Sequence, residues 1–562
     1  MSLTRQTIPQ LTPRSLQKGE VGIIQRSFPF GQKNFFRHFH DEPLNLTITL
    51  NQHNAHPPQV ILHSDIGATN PGDWLDIPFS TTNNREFHLS LTFPRCGLFR
   101  FRIKYSLDGG DQWFWDRVPH SYVMVDPPSI RTVRLYTLIP NASGNISDWK
   151  KLIPSIRAMG FDSIHLLPIT QMGYSSSPYA ANDLFDVDSR YRDPADPRGT
   201  LEQFEDFVQV CRAQEIRLCL DLVLNHICVD SRMVASCPDW IIADDSEPDG
   251  LKRAGCWHMQ SWIRWEDLVL INYDHPNAFI RHDIRDYMKQ YAQFWSNYAA
   301  YTGGMVRFDN LHSSNNDFVA DLSATLHTAF PNLAILGEYF TDEGTLERTV
   351  PEWGINMLLA NSWEYPFGPQ LRHYITYLHN VAGRLRHLCA ITTHDTGVPA
   401  QLFGSEHSAI PRYAICALYT LGHTGLVQGV EAGVKDRIPF IGPARKLELE
   451  PIPEIRDFIT RINGLLAERN VFRQNGNLTF VDNGHEAILG AYRLDLTHKQ
   501  PGVLLFSNLD IYNDQTLFAD LSHCGLIFPL TLKEVFTGES LTLNEPVFPV
   551  TIKPCDVKVF EI

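Results

Sequence analysis

The sequence predicts an α/β protein, in which a (β/α)8 TIM barrel with an inserted subdomain after strand 3 lies between N-terminal and C-terminal β-sandwich domains. Through the middle of the chain, short apolar runs alternate with amphipathic segments, which is the order of a βα barrel. At both ends, strand-length alternation is broken by frequent turn residues, which is typical of β-sandwiches. We therefore expect domains at 1–130, 131–474 and 475–562, with the inserted subdomain at about 227–273.

Alternating apolar and polar residues define the predicted N-terminal sandwich. Residues 97–105 read GLFRFRIKY, which is a strand with one buried face, and the turn sequence DGGD follows at 108–111. Pro127 and Pro128 then interrupt the pattern, because proline supplies no backbone donor to a strand. We place the end of this domain there.

Seven short apolar runs, bounded mostly by polar or glycine residues, are the candidate barrel strands. They lie at 133–139, 163–167, 217–224, 305–308, 334–336, 389–392 and 425–428. After Pro276, a stripe at helical spacing predicts a core-facing helix before the fourth run, formed by Ile280, Ile284, Tyr287, Tyr291 and Trp295. The segment 227–273 is too long for an ordinary βα loop, and it predicts the inserted subdomain. Beyond 475, apolar runs at 487–493 and 503–507 predict the C-terminal sandwich.

Composition limits the classes of function. The 562 residues are 43% hydrophobic, and 63 Asp and Glu against 48 Lys and Arg give a formal charge of −15. This charge repels a phosphate backbone, so we expect no nucleic-acid partner. No apolar stretch of about 18 residues occurs, so we expect no membrane partner.

The chain start lacks the apolar run of a signal peptide, and none of the ten cysteines forms a CxxC pair. Both observations favour a cytoplasmic location. The sequence leaves the oligomeric state open.

Acidic residues at the ends of the candidate strands are the prominent chemical feature. No GxSxG, Walker A or HExxH string occurs, so the signatures of serine hydrolases, P-loop proteins and zinc peptidases are missing. Asp221, Asp309, Glu338 and Asp395 lie at or just beyond the ends of apolar runs, where barrel enzymes place catalytic groups. One such residue alone is more simply a helix cap or a solvated loop residue. Four at corresponding positions favour an active site.

Arg307 and Asp309 are two residues apart on one candidate strand, so their side chains point to the same face. We expect the guanidinium to hold Asp309 ionised, as a nucleophile must be, and a structural ion pair is the alternative. Glu338 follows an apolar segment, and partial desolvation keeps a proton on a carboxyl, as a general acid requires. Two carboxyls about 5–5.5 Å apart serve a retaining glycosidase mechanism, but the sequence gives no distance.

The four motifs around these residues resemble those of the α-amylase superfamily of glycoside hydrolases and transglycosylases, over about 131–472. The resemblance implies that Asp309 is the nucleophile, Glu338 the general acid/base and Asp395 a third carboxylate that binds sugar hydroxyls. It further implies a set of residues that bind the substrate or hydrogen-bond the nucleophile. These are Asp221, His226, Arg307 and His394.

Within the superfamily, the likeness is greatest to the glucanotransferase half of glycogen debranching enzymes. The strings at 164–170, 176–179, 307–313 and 393–395 carry it. Tyr179 matches a sugar-stacking aromatic, with a buried loop tyrosine as the alternative. His312 lies just past the nucleophile strand, where it reaches an acceptor sugar or, alternatively, caps the next helix. Residues beyond 475 are too few and too β-like to form the helical 1,6-glucosidase module of eukaryotic debranching enzymes.

The sequence implies no cofactor. Calcium, which many α-amylases bind, is left open, because Asn225 matches one family ligand but no carboxylate cluster is evident in the inserted subdomain. We expect a retaining enzyme that acts on α-1,4-linked glucan or maltooligosaccharide, with 4-α-glucanotransferase activity favoured and α-amylase-like hydrolysis as the alternative. A non-catalytic glucan-binding protein is a third hypothesis, in which Trp113 and Trp115 stack on sugar or simply pack within their domain.

Overall fold

The protein is described by a computed structural model that covers residues 17–19, 23–27, 34–51, 56–68, 72–118, 120–258 and 261–562. The first ten residues, on which the expectation about a signal peptide rests, lie outside these ranges. The chain forms two compact units, one of residues 1–94 with 98–125 and one of residues 95–97 with 126–562.

The first unit is a β-sandwich. Its strands are β1 (Gln17–Lys18), β2 (Ile24–Ser27), β3 (Phe35–Phe39), β4 (Leu44–Leu50), β5 (Gln59–Ser64), β6 (Leu75–Pro78), β7 (Ser80–Thr81), β8 (Glu86–Leu91), β9 (Gly97–Ser106), β10 (Phe114–Trp115) and β11 (Ser121–Asp126). One sheet has the order β1-β10-β9-β11-β3, with β5 on β9 and β6 on β5, and the other has the order β2-β4-β8-β7. Strand β9 confirms the predicted strand at 97–105, because Phe99, Phe101 and Ile103 are buried and the residues between them are not.

The second unit contains the barrel. Its next strands are β12 (Val133–Leu138), β13 (Ser163–Leu166), β14 (Thr170–Met172), β15 (Ala181–Val187), β16 (Arg217–Leu222), β17 (His226–Cys228), β18 (Arg253–His258), β19 (Ser261–Leu270), β20 (Met305–Phe308), β21 (Ala334–Gly337), β22 (Met357–Ala360), β23 (His387–Ala390) and β24 (His423–Val427). Eight of them close a parallel barrel in the order β12-β13-β16-β20-β21-β22-β23-β24. This confirms the predicted fold class.

The sequence prediction missed one barrel strand, β22. Its four residues follow a helix after only three residues, so the apolar run merges with the buried face of that helix. The predicted run at 389–392 is also displaced, since β23 begins at His387, a polar residue that apolar periodicity does not detect.

Helices cover the outside of the barrel. They are α1 (Ile146–Ala158), α2 (Thr200–Ala213), α3 (Arg232–Ser236), α4 (Ala278–Tyr301), α5 (Asn316–Ala329), α6 (Glu343–Trp353), α7 (Gly368–Val381), α8 (Pro399–Phe403), α9 (Ala409–Ala414) and α10 (Pro453–Glu468). The stripe predicted after Pro276 is confirmed in α4, where Ile284, Tyr291 and Trp295 are buried in the main core. Ile280 and Tyr287 pack against that core and are partly buried. In the described part of the chain, no helix is both long and apolar enough to cross a membrane.

A small sheet of order β17-β19-β18, together with α3, forms the insertion after the third barrel strand. The chain ends in strands β25 (Leu478–Phe480), β26 (Ile488–Arg493), β27 (Val503–Asn508), β28 (Gln515–Asp520), β29 (Leu530–Glu534), β30 (Ser540–Leu543), β31 (Val547–Ile552) and β32 (Val557–Glu561). They form a sheet of order β25-β26-β27-β32-β29-β30 and the pair β28-β31 around a separate apolar core. The predicted domain boundary at 474 lies between the last helix, α10, and these strands, and both belong to one compact unit.

Candidate active site

Three neighbouring parallel strands, β16, β20 and β21, bring the site together at their carboxyl ends. Asp221 on β16 is in register with Arg307 on β20. Asp309 directly follows β20, and its N–H donates to the carbonyl of Leu222 at 3.1 Å. Glu338 directly follows β21, and its N–H donates to the carbonyl of Phe308 at 3.0 Å. The ladder bonds thus continue one residue past the strands and fix both carboxyl-bearing residues at the barrel mouth.

The buried guanidinium of Arg307 holds three carboxylates. Its side chain is 1% exposed. Nη1 donates to Asp221 Oδ2 at 2.5 Å and to Asp309 Oδ1 at 3.1 Å, and Nη2 contacts Glu338 Oε2 at 2.7 Å. The two carboxyls predicted as nucleophile and acid/base therefore lie at the two ends of one guanidinium.

Asn310 adopts a left-handed backbone conformation, with φ of 48°, immediately after Asp309. This conformation is strained for most residues and more readily adopted by asparagine. It directs the Asn310 N–H to Glu338 Oε2 at 3.0 Å, and the next N–H, of Leu311, donates to the Glu338 carbonyl at 2.9 Å. Asn310 therefore orients Glu338 through its backbone N–H. Sequence reasoning missed this role, although an asparagine directly after the strand-end aspartate is a signal for a turn.

Asp221 is fully buried and ionised. Oδ2 accepts from Arg307, from the Tyr179 hydroxyl at 3.0 Å and from His165 Nε2 at 3.2 Å. Burial acts to raise the pKa of Asp221, but the charge of Arg307 and the His165 hydrogen bond outweigh it and lower this pKa below its usual value. His165 was not predicted as a site residue, although it lies in the 164–170 string.

Tyr179 joins the two sides of the site. Its ring is parallel to that of His394, with 3° between planes and 5.6 Å between centroids, and its hydroxyl lies 2.6 Å from His394 Nε2. The same nitrogen lies 3.0 Å from Asp395 Oδ2. Phe440 packs edge-on against the His394 ring at 5.2 Å. The Tyr179 hydroxyl thus meets the edge of the His394 ring. Sequence reasoning missed Phe440, which belongs to the loop after the last barrel strand.

Asp395 is the most exposed of the site carboxylates, with 48% of its side chain accessible. It is therefore placed where a bound sugar hydroxyl can reach it. Desolvation opposes ionisation, but the charge and hydrogen bond of His394 lower the pKa of Asp395 overall.

The expectation that Arg307 holds Asp309 ionised is wrong for the protein without substrate. The Asp309 side chain is 9% exposed. Burial raises the pKa of Asp309 well above its usual value, and the charges of Glu338, Asp221 and Asp395 raise it further, against the opposing charge of Arg307. The physical reason is that one guanidinium is shared among three carboxylates, so its charge does not balance theirs. The surroundings of Asp309 therefore favour its protonated form more than water does.

His226 and His312 lie at the edge of this cluster. His226 begins β17, is buried, and packs its ring against Trp265 at 5.8 Å, and burial lowers its pKa to about 4. The imidazole is therefore neutral, and it makes no hydrogen bond to the carboxylates. His312 is exposed in the turn after Asn310. It does not cap α5, because the Asn315 side chain caps that helix.

The described residues do not form a calcium site. Among them, no three His, Cys, Asp or Glu side chains come together as metal ligands. Asn225 is buried and neither atom of its amide has a partner among the described residues. It lines a cavity of about 560 Å³ that also contains Asp274 and Asp317, but the Asp274 side chain is 78% exposed. One amide beside solvated carboxylates falls short of the six or more oxygens that calcium takes, so we assign no step to a metal.

Comparison with known proteins agrees with this architecture. A family model described as "Glycogen debranching enzyme, glucanotransferase domain" matches residues 128–248. An alpha-1,4-glucan:maltose-1-phosphate maltosyltransferase of Picrophilus torridus is 22% identical over 431 residues, which cover 70% of this chain and 65% of that relative's length. The chain thus spans just under two thirds of this relative.

Two solved structures share the fold. An α-amylase from Geobacillus thermoleovorans aligns with a TM-score of 0.60 at 16% identity, over 77% of this chain and 98% of that one. A debranching enzyme from Nostoc punctiforme aligns with a TM-score of 0.58 at 15% identity, over 78% of this chain and 99% of that one.

The chain thus shares its barrel fold with these α-amylase and debranching-enzyme structures. In sequence, it is similar to a maltosyltransferase and, over residues 128–248, to the glucanotransferase domain of glycogen debranching enzymes.

Proposed function

We propose that the protein is a retaining enzyme that acts on α-1,4-linked glucan or maltooligosaccharide as a 4-α-glucanotransferase. The observation that carries the proposal is the placement of Asp309 and Glu338 at the two ends of the Arg307 guanidinium, at distances of 3.1 Å and 2.7 Å. Two neighbouring carboxyls at a barrel mouth, one to attack as the carboxylate and one to donate a proton, are what a double-displacement mechanism requires.

In this proposal, the Asp309 carboxylate attacks the anomeric carbon while Glu338 gives its proton to the departing glycosidic oxygen. The resulting glycosyl ester on Asp309 is then attacked by an acceptor hydroxyl, whose proton returns to Glu338. Arg307 Nη2 and the Asn310 N–H both engage Oε2 of Glu338, so Oε1 is the oxygen that carries the proton. Asp309, whose contact with Arg307 is through Oδ1, attacks as the carboxylate.

The choice of transfer over hydrolysis is supported by two of the similar proteins, a maltosyltransferase and the glucanotransferase domain of debranching enzymes. The exposed His312 beside Glu338 supports it too, since it adds a polar group where an acceptor sugar enters. Hydrolysis of the same glucans is the alternative. A non-catalytic glucan-binding protein is disfavoured, because Asp309, Glu338, Asp395 and Arg307 are all present.

The test is the product profile from maltopentaose alone, measured by chromatography together with a reducing-end assay. Transfer predicts longer and shorter oligosaccharides in step, with constant reducing ends. A steady rise in reducing ends without longer products identifies a hydrolase instead. The Asp309→Asn variant is the inactive control, and tight maltoheptaose binding by the unaltered protein without any change in chain length supports the non-catalytic hypothesis.

We also infer that the protein works in a reducing compartment, as expected of a cytoplasmic location. All ten cysteines are free, and seven of them are buried. Buried free thiols persist where disulfides do not form.

A further inference from the structure

A cluster of tryptophans and cations covers the outer face of the larger N-terminal sheet. Residues on β5 and β9 alternate between the apolar core and this face, so Leu62 and Ile103 point inward while their neighbours His63 and Arg102 point outward. His63 and Arg102 lie directly opposite each other in the ladder. The cluster consists of His63, Trp74, Arg100, Arg102, Lys104, Trp113, Trp115 and His120, and we call it the cationic face.

The side chains of the cationic face are stacked. The Arg102 guanidinium lies 4.1 Å from the centroid of the Trp115 ring. His63 lies between Trp115, at 5.5 Å, and Trp74, with which it stacks at 5.1 Å and 23°. The Lys104 ammonium lies 5.4 Å from the Trp113 ring. All three tryptophans keep part of their surface exposed, so ring surface remains available to a ligand.

Charges on the face do not balance. Asp65 pairs with Arg100 at 3.1 Å, and Asp76 pairs with Lys104 at 2.5 Å and with His63 at 2.8 Å. Arg102, between them, makes no ion pair or hydrogen bond with any described residue, and its Nε is buried without a partner. Arg100 and Lys104 stand two residues away on either side on the same face.

An unpaired, half-buried guanidinium between two like charges is unfavourable unless an anion joins it. The burial of Arg102 lowers its pKa, and burial together with the charges of Arg102 and Arg100 lowers the pKa of the neighbouring His120. The face is thus locally positive in a chain whose formal charge is −15.

We propose that the cationic face binds a phosphorylated sugar. The phosphate pairs with Arg102, whose fork of donors suits a bidentate contact with phosphate oxygens. The apolar face of the sugar ring packs on the part of Trp74 that stays exposed beside His63, Arg100 and His120. All of these residues belong to the N-terminal unit, and none of them is among the site residues of the barrel.

Calorimetric titration of the full chain tests the proposal, with glucose 6-phosphate, inorganic phosphate and maltose as separate probes. Glucose 6-phosphate is expected to bind more tightly than either of the others. Arg102→Gln is expected to weaken its binding about tenfold or more, since a charged hydrogen-bonded contact is lost. Arg102→Lys keeps the positive charge but not the forked donors. Its affinity for glucose 6-phosphate is expected to lie between those of the unaltered protein and Arg102→Gln.

Arg85→Gln is the matched control, because Arg85 is exposed on the same unit and lies outside the cationic face. It should leave binding unchanged. Trp74→Ala should weaken glucose 6-phosphate and spare inorganic phosphate, which separates the sugar contact from the anion contact.

Three results overturn the proposal. If Arg102→Gln and Arg102→Lys, both melting like the unaltered protein, bind glucose 6-phosphate at full strength, the ligand binds elsewhere. Equal affinity for inorganic phosphate shows a simple anion site. Equal affinity for maltose shows a plain glycan surface on which Arg102 has no part.

Discussion

At the scale of single residues, one buried cation organises the catalytic centre. Arg307 contacts Asp221, Asp309 and Glu338, and the charge of a fourth carboxylate, Asp395, also acts on Asp309. One positive charge does not balance these carboxylates in a buried site, so the pKa of Asp309 is raised despite its contact with Arg307. The crowding that aligns the carboxylates around Arg307 therefore also acts against the ionisation of Asp309.

Asp309→Asn is expected to abolish turnover and to raise thermal stability near neutral pH. The pKa of Asp309 is raised in the folded protein, so protonation of Asp309 stabilises the fold. This stabilisation is complete when the pH is below the ordinary carboxyl pKa. It is lost as the pH rises through the raised pKa of the folded protein. Asparagine is neutral throughout. The melting temperature of the variant should therefore exceed that of the unaltered protein by on the order of 1–2 °C near pH 8.

Melting curves recorded from acid to alkaline pH check this prediction. The difference between the two proteins should shrink to nothing as pH falls below the ordinary carboxyl pKa. Asp245→Asn is the matched control, since Asp245 is an exposed carboxylate in the inserted subdomain, and it should change neither activity nor the pH profile. A variant that is less stable than the unaltered protein near pH 8 contradicts the prediction.

At the scale of elements, the turn after β20 sets the geometry of the acid/base. Asn310 adopts φ of 48° and presents its N–H to Glu338 Oε2. Asn310→Gly is expected to keep the turn and most of the activity, because glycine adopts a positive φ without strain. Asn310→Val is expected to lower stability by roughly 1–2 kcal/mol, because a β-branched residue is strained there.

The value of kcat for the two variants, measured on maltopentaose, distinguishes the turn from the side chain. If the backbone conformation matters, Asn310→Val loses kcat far more than Asn310→Gly. Equal losses in both variants show instead that the asparagine side chain is what the site needs.

Hydrophobic periodicity predicts most of the barrel because buried parallel strands are short apolar runs, as in β16 and β20. It fails at β22, whose run merges with the preceding helix, and it cannot detect the polar start of β23. Site residues are predicted where their motif positions carry chemistry, as for Asp309. The pKa shift of Asp309 is not predicted, because it depends on three strand ends meeting at one guanidinium, which only the closed barrel brings about.

At the scale of the whole molecule, the described structure contains free thiols and no disulfide among its ten cysteines. Cys219 and Cys389 lie on barrel strands with no exposed surface. Cys237, Cys256 and Cys524 retain partial exposure. Such a distribution makes the cysteines part of the apolar packing, where burial suppresses their reactivity.

Thiol titration with a disulfide reagent is therefore expected to separate two populations. Without denaturant near pH 7.5, at most the three partly exposed thiols should react. Their reaction should be slow, because burial raises the pKa of Cys524 to about 11 and also raises the pKa of Cys256. Few of these thiols are therefore in the reactive thiolate form. In denaturant without any reductant, all ten should react. Prior reduction should leave that number unchanged, because no disulfide exists to open. A count below ten that rises after reduction would reveal disulfides and with them an oxidising compartment, against the inferred cytoplasmic location.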